Sequence, residues 1–522
     1  MTEHGKVDGA LWAALWAPYR DPSQSLQTQV RRMLVAAMLD GMLPPSTYLP
    51  STRDLSRALQ VSRNTVIIVY QQLVDEGYLC AEPRMGYWVA ETLPGKGAAA
   101  PAGPTAAPAA PATPHDPQPE PACIEPDWDK RIRFRPSTQR NIEKRSNWRN
   151  YRYPFLYGQF DARLFPLADW RLCCLRTLNL LESSEWGQDM LLRDDPALIQ
   201  QIRTRLLTMR GIHAQEDEII VTVGSQQGLY LLADLLMEPG VCVGMEDPGY
   251  PDARNIFVQR RVHLTGLAVD EEGVVVNNRM RGQQYVYVTP SHQCPTSVTL
   301  SMPRRQALLA MARESDFVVI EDDYETEDGW AGESIPALKS MDRDGRVIYI
   351  GSMSKSLAPG LRIGYVVAPA ELVRALRGLR RLNIRHPNAY GQRSLALFIG
   401  LGHHNTLLRK LAAEHALRAT ALQEAMQRHL PDWRASTVSG GSALWVQGPP
   451  GLDARRLSEV AEHHGVLIEP GDVFFMNQLE GHQSADHARF FRMGFTCISV
   501  ADIEPGVQAL RAAYLELQRA GS

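Results

Sequence analysis

Long apolar runs are missing from this 522-residue chain, and so are the cysteine patterns that staple or metallate small domains. No stretch stays apolar for the roughly 20 residues that a bilayer-spanning helix needs. Met1-Thr-Glu-His-Gly-Lys6 also lacks the basic-then-apolar signature of a secretory leader. The expected location is therefore the cytoplasm, with no membrane partner. The seven cysteines (80, 123, 173, 174, 242, 294 and 497) are odd in number and never spaced Cys-x-x-Cys, which argues against a disulfide framework and a structural zinc site. The pairs His403-His404 and His463-His464 have no partners at ligand spacing, so no metal is expected. A formal net charge of −3 argues against a wholesale polyanion binder, and any nucleic-acid contact has to rest on locally placed residues.

What is present starts with an abrupt change of composition. From Leu93 the chain turns to Ala and Pro, as in Ala98-Ala-Ala-Pro-Ala-Gly-Pro104 and then Pro108, Pro111, Pro114, Pro117, Pro119 and Pro121. Such a segment cannot build a core and reads as an extended spacer. It divides the chain into a unit over 1–92, a linker over 93–127 and a long unit over 128–522.

The first unit reads as three helices and a hairpin. Gln24 to Leu39 carries Leu26, Val30, Leu34, Ala37 and Met38 at helical spacing and stops at Gly41. Ser51 is placed to cap a second helix with Leu55 and Leu59. Ser62 is placed to cap a third, in which Val66, Val69, Tyr70 and Leu73 fall at i, i+3, i+4 and i+7 before Gly77. Two short strands, Tyr78-Leu-Cys-Ala81 and Gly86-Tyr-Trp-Val-Ala90, complete a winged helix-turn-helix. The inward pattern leaves Arg63, Asn64 and Thr65 exposed on the first turn of the third helix, the end that enters a major groove. Leu49-Pro-Ser-Thr-Arg53, Val61-Ser-Arg-Asn-Thr-Val66, Tyr70-Gln-Gln-Leu73 and Glu76-Gly-Tyr-Leu79 resemble the GntR-type DNA-binding domain. That resemblance implies double-stranded DNA as a partner, contacted by Arg53, Arg63, Asn64 and Thr65, with a wing around Arg84 and Gly86. The tip Arg84-Met-Gly86-Tyr-Trp88 departs from the Gly-Ser-Gly-Thr pattern common in that family.

In the long unit, short apolar runs alternate with helical stretches. The runs are Glu218-Ile-Ile-Val-Thr-Val223, Val241-Cys-Val243, Tyr285-Val-Tyr-Val288, Phe317-Val-Val-Ile320, Val347-Ile-Tyr-Ile350 and Tyr365-Val-Val367. Continuous apolar strands between helices predict an α/β domain: a mostly parallel sheet with helices on both faces, plus a small α+β subdomain. Polar motifs cluster after the strands, where such sheets bind ligands. Gly224-Ser225-Gln226-Gln-Gly228 opens the helix Leu229 to Met237 and forms a seat for phosphate. Glu246-Asp-Pro-Gly-Tyr250 puts an aromatic ring at a turn, placed to stack on a planar heterocycle. Glu321-Asp322-Asp323-Tyr324 sets three carboxylates at a strand end, costly unless one meets a cation, and a pyridinium nitrogen would serve. Metal ligation is the competing use of such a cluster, but no histidine accompanies it. Ser352-Met-Ser354-Lys355, with Arg362 after it, places an amine among hydroxyls and an arginine.

Phosphate seat, aromatic ring, carboxylate and lysine in this order resemble the fold-type I aminotransferases. With a GntR-like domain in front, the whole chain outside the linker is similar to the MocR-type regulators. The resemblance implies pyridoxal 5'-phosphate as cofactor, with Lys355 as its Schiff-base lysine. Its phosphate would fall to Gly224, Ser225, Gln226, Ser352, Ser354 and Arg362, and its ring to Tyr250, Asp322 and Tyr324. Phe491-Arg492-Met-Gly-Phe495 matches the motif whose arginine takes a substrate carboxylate, which implies Arg492 for that role. Pro290-Ser-His-Gln-Cys-Pro-Thr296 matches the loop beside the cofactor, with Ser297 where glycine is usual. Asp252 stands where a relative responsive to γ-aminobutyrate would place an arginine, which disfavours that effector. A basic run, Lys130 to Arg135 with Arg140, Lys144, Arg145, Arg149 and Arg152, reads as a solvated arm or as further phosphate contacts on a dimer face.

The function implied is a transcriptional regulator, a homodimer on repeated half-sites, that senses an amino compound through an aldimine at Lys355. The alternative is a catalytically active aminotransferase with an appended DNA-binding domain. A third reading is a sensor of pyridoxal phosphate itself. Effector, target genes and sign of regulation are not encoded in any motif.

Overall fold

Four helices bury one stripe each to build the amino-terminal unit of the computed structural model. They are α1 (Gly9–Trp16), α2 (Leu26–Leu39), α3 (Thr52–Leu59) and α4 (Arg63–Asp75), and their common core includes Val30, Leu34, Leu55, Leu59, Val66, Val69 and Leu73. The structure describes residues 9–21, 24–82, 85–93, 126–325, 336–353, 355–436, 440–476 and 486–521. Arg84, Ser354 and residues 94–125 of the expected linker lie outside them. By its contacts the chain divides into two units, Met1–Glu125 and Pro126–Ser522.

Side-chain caps set the helix boundaries. Ser25 accepts the Thr28 N–H at 3.2 Å, so α2 begins at Leu26 and not at Gln24. Ser51 and Ser62 cap α3 and α4 by accepting the N–H groups of Asp54 and Thr65 at 3.2 and 3.0 Å. Between them Gln60 takes a left-handed φ of 57°, which allows the tight turn from α3 to α4. Strands β1 (Leu79–Glu82) and β2 (Gly86–Val89) pair antiparallel as the wing. α1 is not among the helices expected from the sequence, yet its Trp12 and Trp16 join the core. Thr65 corrects a second expectation. Arg63 and Asn64 are exposed, but Thr65 is buried, its hydroxyl 2.8 Å from that of Ser62, because it stands on the buried stripe of α4 with Val69 and Leu73.

In the long unit, β3 (Tyr153–Pro154) precedes eight strands that form one sheet. These are β4 (Ile219–Thr222), β5 (Cys242–Asp247), β6 (His263–Asp270), β7 (Gly273–Val274), β8 (Tyr285–Val288), β9 (Val318–Asp323), β10 (Val347–Ser352) and β11 (Gly364–Val367). Their order is β4-β11-β10-β9-β8-β5-β6-β7. The central pairings from β10 through β9, β8 and β5 to β6 are parallel, while β11 runs against both its neighbours and β7 against β6. Helices cover both faces, which is why the strands read as continuous apolar runs. Ile220, Ile348, Ile350 and Val366 pack against helices Gly224–Leu236 and Ala370–Ile384. Val221, Tyr349, Tyr365 and Val367 pack against Pro196–Gln201 and Ala389–Gly400. Each fully buried Ile or Val contributes about 1.5–3 kcal/mol. β6 has no counterpart among the expected runs, because Thr265 and Gly266 interrupt its apolar character.

A smaller sheet, β12 (Arg434–Ala435), β13 (Ala443–Gln447), β15 (Glu469–Pro470) and β16 (Phe490–Gly494), is ordered β12-β13-β16-β15, and β14 (Val466–Leu467) pairs with β3. Its core is shared with the helices His403–His429 and Val500–Gly521, giving the small α+β subdomain. Among the described residues, no helix is long and apolar enough to cross a membrane. Ser62→Ala should lower the stability of the amino-terminal unit by about 1 kcal/mol through loss of the α4 cap. Chemical denaturation of the full chain tests this, and an unmoved first transition contradicts it.

Candidate functional site

Alternation along β9 separates the three carboxylates into two environments. Glu321 accepts the backbone N–H groups of Leu338 and Lys339 at 2.8 and 2.7 Å. Asp323 pairs with Arg210 at 2.9 Å and accepts the Tyr349 hydroxyl at 2.8 Å. Asp322, between them, accepts only the Tyr287 hydroxyl at 2.8 Å through Oδ2; its Oδ1 is buried without a partner among the described residues. Burial pushes Asp322 up to about 7, against the pull of that hydrogen bond. It lines a cavity of about 540 Å³, within the usual range for a cofactor-sized ligand.

Lys355 lines the same cavity, just past the end of β10, which pairs in parallel with β9. The residue keeps some solvent access through the cavity, while protein atoms enclose its amine closely. Its Nζ sits 3.9 Å from the centroid of the Tyr157 ring. Burial, and then the nearby Lys144, push the amine down to about 7. Gly158 gives it room. With φ at +66°, that position suits glycine, and an added Cβ would collide with Lys355 Nζ.

Helix Gly224–Leu236 aims the free N–H groups of its first turn at the cavity, with Ser225 and Gln226 on the wall. It starts at Gly224, five residues earlier than expected. Gly224 has φ +74°, and a Cβ there would lie 2.7 Å from Arg362 Nη2, so glycine lets the arginine lie over the helix end. Arg362 Nη2 donates to the Val223 carbonyl at 3.1 Å. Ser352 lies buried at the end of β10 on the same wall. The Tyr250 hydroxyl is 2.8 Å from Gln226 Oε1 and 2.9 Å from Asp252 Oδ2, and half-buried Tyr324 lies edge-on to Tyr157. Of the expected cofactor residues, Ser225, Gln226, Tyr250, Asp322, Tyr324, Ser352, Lys355 and Arg362 line one cavity, and Gly224 adjoins it.

Arg492, on β16, lies on that wall too, almost completely buried. Its Nε donates to Glu469 Oε2 at 2.8 Å, and its Cζ stands 4.0 Å from the Tyr157 ring centroid. Burial works to lower Arg492, but Glu469 together with Cys294, Tyr157 and Tyr324 outweighs it and holds the guanidinium charged. Lys144, Tyr157, Gly158 and Glu469 were not expected as site residues. Lys144 belongs to the basic run, yet its Nζ turns inward to donate to the Tyr157 carbonyl at 3.0 Å. Other members of that run are tied to acids of their own unit: Arg140 to Asp472, Arg145 to Glu462 and Arg135 to Asp129. A glycine directly after an aromatic in Leu156-Tyr-Gly158 is the one sequence signal for the missed corner. Ser297, in the family's glycine position, does take a glycine-like φ of 61°, and its hydroxyl donates to the Ala443 carbonyl at 3.1 Å.

In the amino-terminal unit Arg53 is exposed on α3, and Arg63 and Asn64 are exposed on α4. Arg63 Nε donates to Thr52 Oγ1 at 3.4 Å, and Gly86 opens β2 with φ +96°.

Comparison with known proteins bears on both units. The description "Bacterial regulatory proteins, gntR family" matches residues 26–89, and "Aminotransferase class I and II" matches residues 193–510. Over 489 residues the chain is 38% identical to the HTH-type transcriptional regulator TauR of Rhodobacter capsulatus, covering 94% of this chain and 96% of that protein. The chain belongs to the MocR type of GntR-family regulators. It is 30% identical over 510 residues to the probable rhizopine catabolism regulatory protein MocR of Rhizobium meliloti, covering 96% of each. LysN, an α-aminoadipate aminotransferase of Thermus thermophilus solved with N-(5'-phosphopyridoxyl)-L-leucine, superposes with a TM-score of 0.66 at 25% identity, covering 75% of this chain and 99% of that one. The amino-terminal unit of this MocR-type chain is thus a GntR DNA-binding domain, and the long unit has the fold of the pyridoxal-phosphate-dependent aminotransferases.

The site's residues fit that cofactor: an orphaned carboxylate oxygen for the ring nitrogen, an amine held near neutrality, and a helix end with an arginine for the phosphate. About half of the Lys355 amines are unprotonated at pH 7, against about one in three thousand for an ordinary lysine. Capture of pyridoxal phosphate by the apo protein should therefore slow about tenfold per unit below pH 7 and level off above it. Stopped-flow measurement of the visible band tests this, and a half-maximal rate near pH 10 contradicts it. Gly158→Ala should slow the appearance of that band, because the new methyl displaces the flexible end of Lys355 and φ +66° strains any residue with a Cβ.

Proposed function

We propose that the chain is a cytoplasmic transcriptional regulator that binds promoter DNA as a homodimer and responds to a primary amino compound through pyridoxal phosphate held at Lys355. The observation that carries this is the pairing, in one cavity, of a carboxylate oxygen without a partner on Asp322 with the depressed amine of Lys355. Similarity along almost the whole chain to proteins named as regulators supports the regulatory half.

Bound there, pyridoxal phosphate supplies an aldehyde that condenses with primary amines and a ring that withdraws electrons while its nitrogen is protonated. Asp322 keeps the proton at that nitrogen. Tyr250 would cover the ring, Tyr324 would meet its phenolic oxygen, and Ser225, Gln226, Ser352 and Arg362 with the Gly224 helix end would hold the phosphate, with Ser354 a further candidate from the sequence. Lys355 would hold the cofactor's aldehyde carbon, and Arg492 would receive the effector's acid group. In the winged helix Arg63 and Asn64 face base edges, and Arg53 takes phosphate. Gly86 opens the wing strand β2, Arg84 is a candidate wing contact to DNA from the sequence, and Thr65 acts from inside by fixing the start of α4. Repeated half-sites match a two-fold dimer. Effector binding changes DNA affinity only in so far as the effector prefers one arrangement of the dimer.

One observation favours a second reading, an active aminotransferase with a DNA-binding domain attached. An amine titrating near 7 is suited to carry a proton to and from a substrate carbon. Mixing the protein with candidate amines decides between them: a band shift that persists marks a sensor, and ketoacid release followed by turnover on a second ketoacid marks an enzyme. Lys355→Ala should remove the visible band while leaving binding to the upstream DNA of its own gene without effector intact. Arg63→Ala should keep the band and weaken that DNA binding about fivefold or more, from the roughly 1–3 kcal/mol of one bidentate contact. Absence of DNA binding by the unaltered chain removes the regulator reading.

A further inference from the structure

Three cations crowd one ring. The Tyr157 centroid lies 3.9 Å from Lys355 Nζ, 4.0 Å from Arg492 Cζ and 5.9 Å from Lys144 Nζ. Its hydroxyl is buried and has no hydrogen-bond partner among the described residues, and neither does Arg492 Nη2. Two buried donors, on side chains that stack against each other and without an acceptor among the described residues, mark a place for an acceptor brought by a ligand. Glu469 does not fill it: its Oε2 takes only Arg492 Nε, and its Oε1 is itself without a partner.

Charge decides what kind of acceptor belongs there. Arg492 and Glu469 neutralise each other, so a second anion brought to this pair alone meets a like charge across the same guanidinium. Lys144 changes that sum. It lines the same cavity, where its Nζ donates to the Tyr157 carbonyl.

We propose that Lys144, Tyr157 and Glu469 set which amino compounds the site accepts. The acid group of the effector takes Arg492 Nη2 and the Tyr157 hydroxyl, Lys144 offsets its negative charge, and Glu469 opposes it. The effector class is then a primary amine that carries one acid group a short chain away, and simple amines are rejected because they leave both donors unmet. Glu469 keeps Arg492 fixed and its charge balanced when no effector is bound, at the cost of some affinity when one is. This rests on the reading of Lys355 and Arg492 given above.

The test uses the full-length, cofactor-loaded protein and two matched pairs of probes: L-alanine with isopropylamine, and β-alanine with n-propylamine. Each pair differs by the acid group. Dissociation constants come from the shift of the visible band and, independently, from the rise in melting temperature. At least one amino acid should bind about tenfold or more tighter than its acid-free partner, as a charge-assisted contact provides. Lys144→Met and Tyr157→Phe should each cut that ratio about threefold or more, while Glu469→Gln raises it. A visible band with no acid preference in either pair overturns the inference and leaves the cofactor reading standing. So does a ratio unmoved by Lys144→Met and Tyr157→Phe, or lowered by Glu469→Gln. Absence of any band in the unaltered protein overturns the cofactor reading, and this inference with it.

Discussion

Burying charge at the carboxyl ends of parallel strands is the constraint on which the long unit turns. Three consecutive acids leave β9 into protein with little water, and a buried carboxylate without a counter-charge is expensive. Arg210 and Tyr349 both bond Asp323 through Oδ2, leaving its Oδ1 without a partner among the described residues, and backbone N–H groups meet both oxygens of Glu321. The pleat turns Asp322 the other way, towards the cavity, where Tyr287 covers one oxygen and leaves the other bare. Of the three acids Asp322 is the one that lines the cavity, so its bare oxygen is the one a ligand cation there would meet.

The cationic side of the cavity follows the same physics. Lys355 is drawn in from the neighbouring strand end, and burial makes its charged form costly. The protein answers by packing closely around the amine. It sets the Tyr157 ring beneath and the Gly158 backbone alongside, an arrangement that tolerates either protonation state. Parallel pairing of β9 and β10 fixes Asp322 and Lys355 on one rim, so the sheet that makes the core also sets the distance across which a cofactor is held.

Much of this was legible in the sequence, because strand-end motifs are local. Gly224 to Gln226, Asp322 and Lys355 each follow an apolar run, and each stands at the end of the strand that the run predicts. The caps Ser51 and Ser62 likewise announce their helices. Burial within the first turn was missed: Thr65 is adjacent to exposed Asn64 and faces inward, because it stands four residues before Val69 and eight before Leu73 on the buried stripe of α4. Long-range company was not legible at all. Lys144 sits in a run of arginines that turn to surface acids, and only tertiary packing brings it beside Tyr157 and Arg492. Glu469 and Arg492 are paired by the β15–β16 ladder, which no spacing in the chain foretells.

The winged helix and the aminotransferase-type unit put two chemistries on one chain: a DNA reader with exposed arginines and a cavity poised to take a primary amine. The account stands on Lys355 as the residue that joins the cofactor to the protein. Borohydride reduction of the purified protein followed by peptide mapping tests it most directly. The account predicts a pyridoxyl group on the peptide that contains Lys355 and on no other. A label on a different lysine, or none on a protein that shows the visible band, would contradict it.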